Sequence, residues 1–207
     1  MSAQFAELFK AEHVVLLELC WVLTLDPAAS RDVAQSALAQ VWRTWGSSTA
    51  PTGDPTIRLY AVAIETARDT PLRSVAPDPG GDQALVAALA EMEHAERAAT
   101  GLHHLLGLAP DRCGQAMGTF PHLAAVKIQR ANRLLSDRVG SGGPRPPAGI
   151  AERIRTEAQR QLEGMDLVDP SRTVGSPEGS GPSVPAWLMW PAASVVVLAL
   201  IALLVTR

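Results

Sequence analysis

The chain is poor in aromatic residues and in cysteine. Only 4% of its 207 residues are Phe, Trp or Tyr, whereas 47% are hydrophobic and alanine is abundant, a composition that favours packed helices over sheet. Its two cysteines, Cys20 and Cys113, show no metal-ligand spacing, so buried free thiols are favoured over a disulfide or a metal site. The formal net charge of −3 excludes a bulk binder of polyanions but leaves room for a local basic patch.

Catalytic signatures are also missing. The sequence contains no nucleophile elbow, no phosphate-binding loop, no dinucleotide-binding fingerprint and no zinc-protease motif. Its acidic residues are scattered and form no paired site, and the adjacent His103 and His104 diverge on a helix instead of forming a chelating pair. We therefore expect a protein that is not an enzyme and that uses no cofactor and no metal.

Residues 187–205 form one long apolar run without a charged side chain. At about 1.5 Å per residue such a run spans a hydrocarbon core of roughly 30 Å, so we expect a transmembrane helix over residues 186–205. Pro191 lies near its start, where a missing N–H costs least, and two tryptophans suit the membrane interface. A buried core helix is the alternative interpretation. The residues assigned to the membrane anchor are Trp187, Trp190, Val195, Leu198, Ile201 and Leu204.

The opposite end of the chain lacks a basic segment followed by an apolar core, so no signal peptide is expected. The expected location is therefore the cytoplasmic membrane, with one C-terminal anchor in the lipid bilayer and the N-terminal domains in the cytoplasm. The single basic residue after the apolar run is too weak a charge bias to fix this orientation by itself.

Capping signals and helical spacing predict a first, three-helix domain over residues 1–70. Ser2 can cap the first helix, and an Asp-Pro pair opens each of the next two at Asp26 and Asp54. Residues 71–82 are rich in Pro, Gly and Asp and indicate a linker.

A second domain is predicted over residues 83–139. Asp82 can cap a helix that reaches about residue 106, and a short helix over 110–117, a turn and a longer helix over 122–138 follow in helix-turn-helix order. A linker over 140–149 leads to an amphipathic spacer helix over 150–164, for which a partner-binding helix is the alternative, and a flexible linker over 165–185. The expected fold class is all-α, with two small helical domains and a transmembrane helix.

Two sequence blocks resemble the two halves of a bacterial sigma factor of the extracytoplasmic-function type, within the sigma-70 family. The first resembles region 2 and combines LTLDPAASRDVAQSALAQVWRTW (23–45) with IRLYAVAIETARD (57–69). The second resembles region 4 and runs from LVAALAEMEHAERAATG to VKIQRANRLL (85–135). The resemblance covers most of residues 5–138. It implies that the first half binds the RNA polymerase clamp and reads the −10 element, and that the second half reads the −35 element.

The resemblance also implies roles for individual residues. The polymerase-binding residues would be Asp32, Val33, Gln35, Ser36 and Ala39. The DNA-binding residues would be Arg68, Arg73, His122, Lys127, Arg130 and Arg133. Three of these cations recur at three-residue spacing on the last helix, which suits phosphates. The family pattern is not kept at Glu65, where Asn is common, or at Pro71, which breaks a helix that the family tends to continue. The recognition helix also opens with Leu, Ala and Val in place of polar residues.

Three functions are consistent with the sequence. The first is a membrane-tethered sigma factor that binds core RNA polymerase and promoter DNA to direct transcription initiation. The second is a degenerate sigma-like regulatory module that binds polymerase, or a sigma or anti-sigma partner, without reading a promoter. The third is an unrelated all-helical adaptor. A further hypothesis is that the helix over 150–164 folds back and covers the basic recognition helix as an inhibitory flap, through Glu152, Glu157 and Glu163.

Overall fold

The computed structural model describes residues 2–45, 53–72, 80–140 and 149–173. All regular elements in these ranges are helical, which confirms the all-α fold class. None of the described helices has both the length and the apolar character needed to cross a membrane, and the predicted span with its six anchor residues lies outside the described ranges. The elements are α1 (Ser2–Thr24), α2 (Pro27–Thr44), α3 (Pro55–Arg68), α4 (Gln83–Glu91), α5 (His94–Thr100), a π-helical turn (Gly101–Leu105), α6 (Pro110–Ala116), α7 (Pro121–Val139), α8 (Ile150–Gln161) and α9 (Pro170–Thr173).

The predicted starts of α2, α3 and α4 are confirmed. Asp26, Asp54 and Asp82 each accept a hydrogen bond from a backbone N–H of the first helical turn, at 2.9, 2.9 and 3.1 Å. Pro27 and Pro55 occupy the first helical turn. A backbone N–H has no intrahelical acceptor there, so the missing N–H of proline costs no hydrogen bond. Short-range capping chemistry therefore sets where α2, α3 and α4 begin.

The continuous helix predicted from Asp82 to about residue 106 is wrong. The backbone becomes extended at Met92 and Glu93, and a new helix starts with the Glu93 N–H donating to the Glu96 carboxylate at 3.1 Å. At Gly101 the helix widens into the π-helical turn, where a Cβ atom would lie only 2.5 Å from a Leu19 methyl carbon. The missing side chain at this position lets α1 pack closely against the turn.

The core lies between α1 and the helices around it. Phe5 is fully buried and packs against the rings of Trp42 and Trp45, with centroid distances of 4.9 and 5.3 Å. Trp21 of α1 and Val41 of α2 are also buried in this core. An aromatic cluster of this kind supplies large contact areas despite the low aromatic content of the chain.

The two helical segments that the sequence assigns to separate domains pack into one compact unit, Met1–Thr173. The buried Arg97 guanidinium of α5 donates to the Leu23 carbonyl at the end of α1, at 3.0 Å. A ring nitrogen of His94 lies 3.0 Å from the Ile64 carbonyl of α3. These side chains satisfy backbone carbonyls across the two halves and so link α1 and α3 to α5.

The segment after residue 149 also belongs to this unit. The apolar row of α8 is buried against α1 and the π-helical turn, so the expectation of a spacer helix is wrong for this face. The predicted flexible linker is likewise wrong for its first part, because Leu167 is buried and α9 contacts α2. We call residues 149–173 the strap. Its buried apolar row consists of Ile150, Ile154, Ala158 and Leu162.

Candidate interaction surfaces

Four of the five predicted polymerase-binding residues lie on one side of α2. Asp32 and Ser36 are exposed, and Gln35 and Ala39 are partly exposed, as their spacing along the helix requires. We call these four residues the α2 face. Val33 is 5% exposed and belongs to the core, so its assignment as a contact residue is wrong for this structure. The available surface is therefore narrower and more polar than predicted.

The α2 face is partly occupied by the strap. The Gln35 side-chain amide donates to the Val168 carbonyl at 2.8 Å, and its oxygen accepts from the Val168 N–H at 2.9 Å. Both polar groups of one side chain therefore pair with the backbone of a single residue, which fixes the strap in register on α2. The sequence gives no sign of this contact, because the two residues are 133 positions apart.

The second surface is the α6–α7 hairpin, which corresponds to the predicted helix-turn-helix. Gly114 of α6 sits against the turn, where a Cβ atom would lie 2.9 Å from the Thr119 carbonyl oxygen. The turn leaves the start of α7 accessible, and three large apolar side chains are exposed there. These are Phe120, Leu123 and Val126, with exposed fractions of 68%, 45% and 48%. The exposed His122 ring stacks on Phe120, at a centroid distance of 5.8 Å.

Three basic residues of α7, namely Lys127, Arg130 and Arg138, form ion pairs with carboxylates of the same chain. The Lys127 ammonium lies 2.7 Å from a Glu93 oxygen, and the Arg130 Nε lies 3.2 Å from a Glu96 oxygen. Through this contact Lys127 holds the pKa of Glu93 below its ordinary value. Arg133 is exposed. The carboxylates of α5 therefore neutralise two of the cations that the sequence assigns to DNA.

A third pair has the same arrangement near the end of α7, where Arg138 contacts Glu91 of α4 at 2.9 Å. In the first half, the predicted DNA contact Arg68 pairs with Glu65 at 2.9 Å, and both side chains are exposed. Arg73 lies outside the described residues. Neither half therefore presents a concentrated positive surface among its described residues.

The strap does not cover α7 with its acidic residues, so the inhibitory flap predicted there is wrong. Glu152 pairs with Arg155 of its own helix at 3.3 Å, and Glu157 pairs with Arg160 at 2.5 Å. Glu163 is exposed. Lys127, Arg130 and Arg138 contact glutamates at positions 91, 93 and 96 instead, and Glu157 also accepts a hydrogen bond from the Asp82 N–H.

The sequence contains the acidic residues that neutralise α7 but gives no short-range sign of their partners. Glu91, Glu93 and Glu96 stand more than 30 positions before the cations they meet, and only the packing of α4 and α5 on α7 brings them together. Across the described ranges, His, Cys, Asp and Glu side chains form no group of three or more suited to a metal ion. His104 instead hydrogen-bonds to the Asn132 side chain at 2.7 Å.

No protein-family model, no curated protein and no solved structure matches the chain.

Proposed function

We propose that this chain is a sigma-like regulatory module that binds core RNA polymerase through the α2 face and does not read promoter sequence. The C-terminal apolar run would hold it at the cytoplasmic membrane, where it would sequester polymerase or act with a sigma or anti-sigma partner. The resemblance of residues 23–45 to the clamp-binding part of region 2 supports the polymerase contact. Asp32 and Ser36 are exposed and available for it.

The observation that carries the proposal is the chemistry of α7. Direct readout of bases needs donors and acceptors at the start of the recognition helix. His122 is the one exposed polar side chain in the first three residues of α7, whereas Leu123 and Val126 are exposed and can offer only methyl contacts. Nonspecific affinity needs unpaired cations for phosphates, but Lys127 and Arg130 already face carboxylates. Base readout and nonspecific affinity for phosphates, the two components of promoter binding, are therefore both weakened in α7.

A second function, promoter-directed initiation, is favoured by one observation. The α6–α7 hairpin has the helix-turn-helix order, and the start of α7 and Arg133 are exposed, as docking in a major groove requires. Lys127 and Arg130 would then have to exchange their carboxylate partners for DNA phosphates.

The two functions are separated by a DNA selection experiment. The full chain in lipid nanodiscs is mixed with core RNA polymerase and a pool of random duplex DNA, and the retained DNA is sequenced. We expect retained DNA without an enriched motif, and we expect the Leu123→Ala variant to give the same distribution. An enriched pair of motifs at a fixed spacing, lost in Leu123→Ala, would contradict the proposal and establish the initiator.

A further inference from the structure

We infer that the C-terminal part of the strap competes within the chain for the α2 face, and that a polymerase must displace this part in order to bind. The inference rests on the proposed polymerase contact of α2. It assigns to residues 149–173 a role other than the spacer, linker, partner-binding helix and inhibitory flap considered from the sequence.

The strap is anchored at its N-terminal part by α8. The Arg153 guanidinium pairs with Asp82 at 2.6 Å, and the Asp82 N–H donates to the Glu157 carboxylate at 3.0 Å. Gln159 donates to the buried Glu18 of α1 at 2.8 Å. Together with the buried apolar row, these contacts hold α8 in place independently of the C-terminal part of the strap.

The C-terminal part of the strap, residues 165–173, is held by fewer contacts than α8. We call it the strap tip. Leu167 is buried, and the backbone of Val168 makes both hydrogen bonds with Gln35. The Asp169 carboxylate is buried and accepts from the N–H and hydroxyl of Ser171, at 2.9 and 2.7 Å. The tip is therefore ordered by its own polar contacts as well as by α2.

The tip covers only part of the α2 face. Asp32 and Ser36 remain exposed beside the occupied Gln35, so a partner can first contact these two residues and then take over the Gln35 side chain. Because α8 has separate anchors, the tip can leave while α8 stays docked. Local opening of this kind costs less than unfolding and suits a segment held by few contacts.

The competition is tested by hydrogen exchange on the full chain in nanodiscs, with and without core RNA polymerase. In the free chain we expect the Val168 amide to be protected, because it donates to the Gln35 side chain at 2.9 Å. We expect exchange in residues 165–169 to accelerate when polymerase is added, while the peptides of α8 keep their protection. Polymerase binding that leaves residues 165–169 protected would overturn the inference and leave the proposed function standing. An absence of polymerase binding would overturn both.

A pair of variants at one position gives a second test. Val168→Pro removes the N–H that donates to Gln35, whereas Val168→Ala keeps the backbone and trims a side chain that is 46% exposed. We expect Val168→Pro to bind polymerase about fivefold more tightly than Val168→Ala, since one hydrogen bond is worth roughly two- to tenfold in an equilibrium. Leu167→Asp should also tighten polymerase binding, because a charged side chain at this buried position would release the strap tip from the core. Equal affinity in all three variants, with unchanged helix content, would overturn the inference.

Discussion

Neutralising the carboxylates of α5 should convert α7 into a nonspecific DNA-binding helix. The double variant Glu93→Gln and Glu96→Gln removes the charges that lie 2.7 Å from Lys127 and 3.2 Å from Arg130. A glutamine at position 96 keeps an oxygen that can accept from the Glu93 backbone N–H, so the start of α5 should survive the change. Two cations become available for phosphates, and each phosphate contact changes the slope of log affinity against log salt by about −0.9. The slope should therefore steepen by about 1.8.

The assay is fluorescence anisotropy of a labelled duplex titrated with the full chain over a range of salt concentrations. The matched control is Glu152→Gln, which removes a carboxylate paired with Arg155 on α8. We expect the control to have the DNA affinity and salt slope of the wild-type chain. The gain in DNA affinity of the double variant should be equal for duplexes of unrelated sequence. An unchanged slope in the double variant would refute the reasoning, because it would mean that the α5 carboxylates do not restrain the α7 cations.

Three further predictions concern the helical unit itself. Gly114→Ala should lower the free energy of unfolding by about 1–3 kcal/mol in chemical denaturation, because its Cβ would lie 2.9 Å from a carbonyl oxygen of the α6–α7 turn. Burial raises the pKa of Glu18, so its contribution to stability falls as pH rises through the interval between the ordinary and the raised pKa. Glu18→Gln keeps an acceptor for Gln159. It should raise the melting temperature at neutral pH but not at acidic pH. An equal increase at both pH values would contradict the view that the buried charge of Glu18 destabilises the fold. Cys20 and Cys113 are buried with raised pKa values, the latter about 11, so a thiol reagent should label neither until the chain is unfolded.

The helix boundaries show what short-range patterns can determine. Asp26, Asp54 and Asp82 act within three residues of themselves, and the helices they cap begin where the sequence indicates. The break at Met92 and Glu93 is not evident from the sequence, because a glutamate is not a usual helix cap and its stabilising contact is the carboxylate of Glu96. Common capping residues such as aspartate therefore predict where a helix begins. An unusual cap such as Glu93 does not, although its contact with Glu96 is equally local.

The candidate surfaces depend on contacts that no local pattern contains. Lys127 meets Glu93 across 34 positions, and Gln35 meets Val168 across 133. The apolar row of α8 predicts that one face seeks a partner, but not that the partner is α1 of the same chain. The resemblance proposes a candidate surface on α2 that includes the buried Val33, whereas the strap that covers part of this surface is evident only from the packed structure.

The proposed polymerase contact is tested most directly by the affinity of the full chain for core RNA polymerase. Titrations in nanodiscs would compare the wild-type chain with Asp32→Arg on the α2 face and with Asp137→Arg, the same charge change on the exposed side of α7. We predict saturable binding by the wild-type chain and by Asp137→Arg, and a loss of about tenfold or more in affinity for Asp32→Arg. Equal binding by all three chains, or no binding by any of them at micromolar concentrations, would contradict the proposed contact.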